Sequence, residues 1–309
     1  MWLINTETLV LEEFVEGRVP EYAILSHRWG DDEISFHQFP NEKRDSQREG
    51  YTKIRDFCAQ VAPSNLSGFQ NPQLKYYKYA WVDTCCIDKR SSAELSESIN
   101  SMFKWYRNAG ICYAYLSDVD DEHDTRYSQF QSSKWFARGW TLQELLAPRE
   151  IQFFSKAWRP LGSKTQLVNT LSGITKIPHK YLLGGNLSEA SVAQRMSWAS
   201  SRVTTREEDV AYSLLGIFDV NMPLLYGEGK KAFIRLQEEI IKQTKDHSIL
   251  AWGCDFRKAP KTPIHDIVPV NGRLNIQPDS ALRSNACRRS PFSYSEGRAS
   301  QSPVHTTAF

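Results

Sequence analysis

The strongest restriction on the fold comes from four short apolar runs, each of which passes directly into a polar loop. The runs are EYAILS (21–26), YAWVDTCCI (79–87), ICYAYLS (111–117) and EIQFFS (150–155). Nearly continuous apolar strands that alternate with helical segments are typical of a parallel sheet covered by helices on both faces. The sequence therefore predicts an α/β fold built on a parallel sheet.

The segment between the second and third runs carries the clearest helix signal. Ser91 and Glu94 have the spacing of a capping box, and Gly110 follows the expected end of the helix. The apolar side chains between them recur at helical spacing: Leu95, Ile99, Met102, Phe103 and Tyr106. This pattern predicts one βαβ unit over residues 79–117.

Beyond residue 156 the strand signal fades and helical patterns replace it. The predicted helices cover residues 163–171, 188–200, 205–216 and 228–245. Thr205 and Glu208 form a second apparent capping box. We therefore predict a sheet domain (1–160) followed by a helical region (161–253). The remaining residues, 254–309, are rich in Pro, Ser, Arg and Asn, and we expect a disordered tail.

Charge and composition exclude several classes of partner. A net charge of +2, from 38 basic and 36 acidic residues, gives no general electrostatic attraction to nucleic acid or to an anionic membrane. The N-terminus lacks the pattern of a signal peptide, and no segment approaches the ~20 apolar residues of a membrane span. The six cysteines show no framework spacing. We expect a cytoplasmic protein with reduced thiols, and strand alternation predicts that Cys85 and Cys86 point to opposite faces.

The loop after the first run is the richest in groups that could bind a ligand. Ligands of parallel α/β sheets bind beyond the carboxyl ends of the strands. The candidate binding residues of this loop are Ser26, His27, Arg28, Trp29 and Gly30. Together they suit a ligand that carries an aromatic ring and a phosphate. The alternative, that Arg28 pairs with Asp31 and Trp29 packs on the domain edge, is equally compatible with the loop alone.

Familiar cofactor and metal signatures are missing from the sequence. No G-x-G-x-x-G follows a strand, and Gly227–Lys231 lacks the leading glycine and the Ser or Thr of a phosphate loop. The His and Cys residues have neither H-E-x-x-H nor paired C-x-x-C spacing. We therefore predict no cofactor and no metal site.

The stretch GWTLQELLAP (139–148) places one carboxylate, Glu144, among apolar residues. As a structural element, Thr141 and Glu144 would form a capping box worth ~1 kcal/mol, in which each side chain binds the other residue's backbone N–H. As a functional element, a carboxylate beside the strand ends and next to Trp140 could stabilise an oxocarbenium-like transition state at a ribose. The residues alone favour the cap.

Long runs of the sequence resemble the heterokaryon-incompatibility (HET) domain of filamentous fungi. They are YAILSHRWGDDEISF, the stretch YAWVDTCCI to YAYLSDV (79–119) and WFARGWTLQELLAPREIQFF. The segment from RVTTREEDV to DHSILAWG is similar to the region that often follows this domain, so the resemblance extends to about residue 253. EYAILSHRWGDD and RGWTLQEL are also similar to the first strand and to the W-C-L-x-E-L motif of TIR domains, which have a flavodoxin-like fold.

The resemblance implies a role in fungal nonself recognition, a form of innate immunity in which the HET domain is the toxic effector of programmed cell death. In TIR domains that cleave NAD, the catalytic Glu of the motif corresponds to Glu144, which makes the catalytic interpretation as strong as the cap. NAD would be a substrate and not a cofactor. Glu144 would act at the ribose, Arg28 would hold the pyrophosphate, and Trp29 or Trp140 would stack on a ring.

Two aspartates are weaker candidates for the same site. Asp83 and Asp88 follow the second run, where an aspartate often only caps the next helix.

The competing interpretation is a non-enzymatic, death-inducing assembly domain in which Glu144 is structural. Longer proteins of this group carry an NTPase and repeats, which this sequence does not show. We therefore expect self-association and a separate sensor protein, for example an NTPase-repeat receptor, as partners. A transcription regulator is disfavoured because no recognition-helix or zinc-finger motif is present.

Overall fold

The computed structural model describes residues 1–39, 48–62, 75–120 and 126–250. Within these ranges the chain forms seven strands: β1 (Trp2–Asn5), β2 (Leu11–Glu13), β3 (Tyr22–His27), β4 (Tyr79–Trp81), β5 (Ile111–Tyr115), β6 (Ile151–Phe154) and β7 (Pro160–Ser163). They join into one sheet in the order β2-β1-β4-β3-β5-β6-β7. The expected tail, and Trp252 and Gly253 at the end of the resemblance, lie outside the described residues.

The centre of the sheet is parallel and confirms the predicted α/β class. β3 pairs with β4 on one side and with β5 on the other, and β5 pairs with β6. Counted from β3, the order β4-β3-β5-β6 is the 2-1-3-4 order of flavodoxin-like sheets. Every residue of β3 is buried, as expected for a strand covered on both faces. The carboxyl ends of β3 and β4 therefore lie side by side.

The second apolar run is a strand over only a third of its length. After Trp81 the chain leaves the sheet in a turn, which the N–H of Cys86 closes by donating to the carbonyl of Val82 at 2.8 Å. Cys85 and Cys86 are both buried in this turn, and both are free thiols. The prediction that they occupy opposite faces of a strand is wrong, because the alternation of a strand ends before them.

The described helices cover the sheet and then continue beyond it. They are α1 (Glu49–Val61), α2 (Ser92–Asn108), α3 (Arg126–Ser132), α4 (Thr141–Leu146), α5 (Val168–Thr175), α6 (His179–Leu182), α7 (Val192–Ala199), α8 (Asp209–Tyr212), α9 (Leu215–Phe218) and α10 (Lys231–Gln243). α2 confirms the predicted helix: Ser91 Oγ accepts the N–H of Glu94 at 3.3 Å. The Glu94 carboxylate accepts from the N–H of Asp88 and not from Ser91, so only half of the capping box forms.

The helical region differs in detail from the prediction. The expected helix over 205–216 is replaced by a loop and the two short helices α8 and α9, and the capping box of Thr205 and Glu208 is absent. The reason is that the Glu208 carboxylate accepts from the N–H groups of Gly227 (2.8 Å) and Gly229 (3.0 Å) instead. The other three predicted helices exist as α5, α7 and α10, with starts three to five residues later.

The helical region packs directly on the sheet domain. A Cβ placed on Gly216 of α9 would lie 2.1 Å from Cβ of Phe103 on α2, so the two helices touch at this glycine. The N–H of Gly139 donates to the carbonyl of Val203 at 2.9 Å, and the N–H of Val203 donates to the carbonyl of Ala137 at 2.7 Å. The buried apolar side chains of the described residues form a continuous core through both parts.

None of the helices in the described ranges has the length and apolarity that crossing a bilayer requires.

Candidate functional site

A cavity of about 340 Å³ lies at the carboxyl ends of β3 and β4. We refer to it as the Glu144 cavity. His27 at the end of β3, Asp83 after β4 and Glu144 on α4 line one side, and the segment from Thr205 to Tyr226 of the helical region contributes the other. Its apolar lining is Ile87, Leu95, Ile99 and Met102. This is the position at which open α/β sheets bind ligands.

Glu144 is a buried carboxyl group that faces this cavity. It is 4% exposed, and its Oε2 accepts a hydrogen bond from Ser26 Oγ at 2.5 Å. Ser26 Oγ in turn accepts from Trp135 Nε1 at 2.9 Å. Burial, followed by the charge of Asp83, raises the pKa of Glu144 to about 8, against the opposing effect of the Ser26 hydrogen bond. Glu144 is therefore mostly protonated at neutral pH.

The capping role expected of Glu144 is wrong. Trp140 is the N-cap of α4, and no side chain caps this end. Thr141 Oγ1 lies 2.6 Å from the carbonyl of Trp135 and accepts from Arg202 Nη1 at 2.8 Å. The physical reason is that the start of α4 is buried against the helical region, which occupies the hydroxyl that a capping box would use. Glu144 is thus free of the helix terminus and turns towards β3.

His27 is a buried, neutral imidazole in the same cavity. Its Nε2 lies 3.7 Å from Glu33 Oε2 and 3.8 Å from Asp83 Oδ1, and within the described residues neither ring nitrogen has a hydrogen-bond partner. Burial, followed by the charges of Lys53 and Arg138, lowers the pKa of His27 well below its usual 6.5. The contacts with the two carboxylates are therefore not ion pairs.

Trp29 lies at the mouth of the Glu144 cavity and is 38% exposed. Its Nε1 donates to Asp83 Oδ2 at 2.7 Å. Burial raises the pKa of Asp83, with Lys89 and the Trp29 hydrogen bond opposing it. Trp140 also lines the cavity, so the structure brings both predicted stacking residues to the site of Glu144.

Three of the predicted site residues lie elsewhere. Arg28 and Gly30 line a second cavity of about 460 Å³, together with Lys156. Arg28 follows the last residue of β3, and it lines this second cavity whereas His27 lines the Glu144 cavity. Asp88 lines neither cavity: its Oδ1 accepts the N–H of Arg90 at 3.0 Å and lies 2.9 Å from His37 Nε2.

The cavity also contains residues that the sequence did not predict. They are Lys89, Arg138, Arg206, Asp209 and Tyr226. Lys89 lies just after the second apolar run and Arg138 just before the stretch GWTLQELLAP. This proximity in sequence was the local signal that could have identified them. The other three come from the helical region, and no local pattern connects them with Glu144. Within the described residues no group of three or more His, Cys, Asp or Glu side chains could hold a metal ion.

The chain carries a HET domain: residues 22–130 match the family model described as heterokaryon incompatibility protein (HET). The chain is also similar to the vegetative incompatibility protein HET-E-1 of Podospora anserina, with 48% identity over 285 residues. That match covers 89% of this chain and 19% of the relative, so the chain spans about a fifth of the relative's length. The predicted family is confirmed.

The C-terminal part of the chain matches a second family model. A domain of unknown function, DUF8212, matches residues 231–305. No solved structure matches the chain. Glu144 and the wall formed by the segment from Thr205 to Tyr226 lie between the two matched segments.

Proposed function

We propose that the chain is an effector of heterokaryon incompatibility that triggers cell death by cleaving NAD at the bond between nicotinamide and ribose. The HET family and the incompatibility relative support the biological role. The observation that carries the chemistry is the buried Glu144 carboxyl, with its raised pKa, in a cavity that also presents Trp29 and Trp140. Perturbed carboxyls in clefts are typical of catalytic sites.

Cleavage of this bond needs a protein group that stabilises the positive charge on the ribose. The bond between the ribose anomeric carbon and the nicotinamide nitrogen breaks, and nicotinamide leaves as a neutral molecule with the bonding electron pair. Water then adds its oxygen to the ribose cation and releases one proton. Ionised Glu144 would stabilise the cation and accept that proton. A positively charged nicotinamide beside Glu144 favours the ionised form, so substrate binding itself would remove the resting proton.

The remaining walls suit the other parts of such a substrate. The indole rings of Trp29 and Trp140 offer flat faces for stacking, and the apolar lining accepts a ring edge. Self-association and a separate sensor protein, as expected from the resemblance, belong to the same proposal.

Two substitutions at one position test the catalytic role. Glu144→Gln keeps the size of the side chain and an acceptor for Ser26 Oγ, whereas Glu144→Ala removes both. The exposed Glu150→Gln on the following loop is the matched control. Each variant is scored for melting temperature, self-association, NAD loss and killing of a fungal host.

The result expected is that Glu144→Gln melts and associates like the wild type but neither consumes NAD nor kills. If Glu144→Gln kills normally and only Glu144→Ala is unstable and silent, the enzyme proposal is wrong. The same surfaces would then serve a non-enzymatic assembly domain.

A further inference from the structure

Three basic side chains line the Glu144 cavity, and within the described ranges none of them forms an ion pair. Lys89 follows β4, Arg138 precedes α4, and Arg206 belongs to the helical region. Among the described residues none of the three makes a side-chain hydrogen bond or an ion pair; their close neighbours are aromatic rings. We refer to these residues as the cation row.

The carboxyl groups of the cavity are bound by neutral donors instead. Asp83 accepts from Trp29 Nε1, Glu144 from Ser26 Oγ, and Asp209 from the hydroxyl of Tyr226 at 3.0 Å. Three carboxyls and three cations therefore share one cavity without a single ion pair between them in the described residues. Ion pairing would be the obvious way to satisfy these cations, so their donor groups are left available to a ligand.

The three cations of the cavity lie beside aromatic rings. Lys89 Nζ lies 3.7 Å from the centre of the Trp29 ring and Arg138 Cζ lies 5.8 Å from it, so these two cations share one indole. Arg206 Cζ lies 4.6 Å from the centre of the Tyr226 ring. Arg138 and Arg206 both oppose the rise in the pKa of Asp209, so both lie near this carboxyl group.

The balance of charge in the cavity also favours an anion. His27 is neutral and Glu144 mostly protonated at neutral pH, for the reasons given above. Three cations then face two further carboxyls, Asp83 and Asp209, and burial raises the pKa of both. Burial also lowers the pKa of Lys89, which Asp83 opposes. The raised pKa values of the three carboxyl groups reduce the negative charge that the cation row faces.

We propose that the cation row is the binding subsite for the diphosphate of a dinucleotide, beside the Glu144 carboxyl at the ribose. This inference extends the proposed function and rests on it for the identity of the ligand. Guanidinium groups bind phosphate oxygens in bidentate fashion, and an ammonium group adds a point charge. The charge of three cations matches two linked phosphates better than one phosphate. The subsite replaces the predicted role of Arg28, which lines the second cavity.

Calorimetric titration with ADP-ribose tests the subsite without turnover, because this probe has the diphosphate but no nicotinamide bond to break. The variants are Lys89→Gln, Arg138→Gln and Arg206→Gln, with Arg28→Gln as the matched control and Arg138→Lys as the variant that keeps the charge. Among the described residues these side chains make no hydrogen bond or ion pair, so we expect unchanged melting temperatures.

We expect each Gln variant of the cation row to weaken ADP-ribose binding about tenfold or more, since hydrogen bonds to charged groups are of that strength. The salt dependence of binding should become shallower. Arg28→Gln should bind like the wild type, and Arg138→Lys should lose less than Arg138→Gln. The subsite is overturned if the wild type does not bind ADP-ribose, if the three Gln variants bind like it, or if Arg28→Gln weakens binding equally.

The two proposals can fail separately. If the wild type binds ADP-ribose through the cation row but does not cleave NAD, the subsite stands and the enzyme proposal falls. If the wild type cleaves NAD and the three Gln variants keep its KM, the enzyme proposal stands and the subsite falls.

Discussion

The proton held by Glu144 links the cavity to the stability of the fold. The pKa of its carboxyl is about 8 in the folded chain, against a usual value of 4.5. Between these two pH values the folded state binds more protons at Glu144 than the unfolded state does. The free energy of unfolding must therefore fall as the pH rises through this window. Burying Glu144 costs stability above its usual pKa, which is the opposite of the behaviour of a carboxylate in a salt bridge.

This linkage gives a prediction that does not depend on catalysis. Between pH 6 and pH 7.5, wild-type stability should fall relative to Glu144→Gln by roughly 1 kcal/mol per pH unit. Denaturant unfolding of both proteins across this range measures the difference. Burial lowers the pKa of His27 well below its usual value and the pKa of Lys164 to about 8, and the contributions of these two buried groups cancel in this difference. Parallel stability curves would show that Glu144 is ionised in the folded chain.

The same ionisation predicts how activity depends on pH. If ionised Glu144 stabilises the ribose cation, kcat/KM for NAD cleavage should rise with pH and reach half of its plateau near pH 8. Initial rates between pH 6 and pH 9 check this. A rate that falls across the same range would mean that the protonated carboxyl is the active form.

At the scale of single residues, sequence reasoning located the carboxyl but not the cations. The motif around Glu144 and the strand end at Ser26 and His27 are local signals, and the structure brings these residues together. Arg28 was predicted to hold the pyrophosphate, but it lines the second cavity, and no binding motif marked Arg138 instead. Arg206 comes from a segment that is distant in sequence and approaches only in the folded chain.

The contact between α9 and α2 can be tested with two glycines. Gly216→Ala would place Cβ 2.1 Å from Cβ of Phe103, and we expect a loss of about 1–3 kcal/mol in the free energy of unfolding. Gly173→Ala in α5 meets no atom within 4 Å and should stabilise by about 0.5–1 kcal/mol through helix propensity. Thermal denaturation of both variants gives the comparison. Equal effects of the two substitutions would contradict the close approach of the helices.

Elements were predictable where a local pattern was long enough. The parallel strands β3, β5 and β6 and helix α2 each have a continuous apolar run or stripe. The outer strands β1, β2 and β7 have three or four residues each and depend on pairing with a neighbour, which leaves little local pattern. The sequence before α8 has the spacing of a capping box. The carboxylate of Glu208 instead accepts hydrogen bonds from the N–H groups of Gly227 and Gly229, which are distant in sequence.

For the whole molecule we predict a single unfolding transition. Arg202 is buried, and its Nη1 donates to the carbonyl of Arg138 at 2.9 Å, so the helical region supports the start of α4 in the sheet domain. The continuous core points the same way. Calorimetric and van't Hoff enthalpies should therefore agree. A fragment of residues 1–160 that unfolds cooperatively on its own would contradict this prediction.

The margins of the sheet limit how copies of this chain can assemble. At one margin β7 begins with Pro160, which has no N–H to offer, and Gly162 has a φ of +138° that interrupts an extended backbone. At the other margin β2 is only three residues long and ends in Glu12 and Glu13. Short, interrupted or charged edges resist the addition of a foreign strand. A polymer of this chain would therefore consist of intact folded subunits joined through helices and loops, and could come apart again without any subunit unfolding.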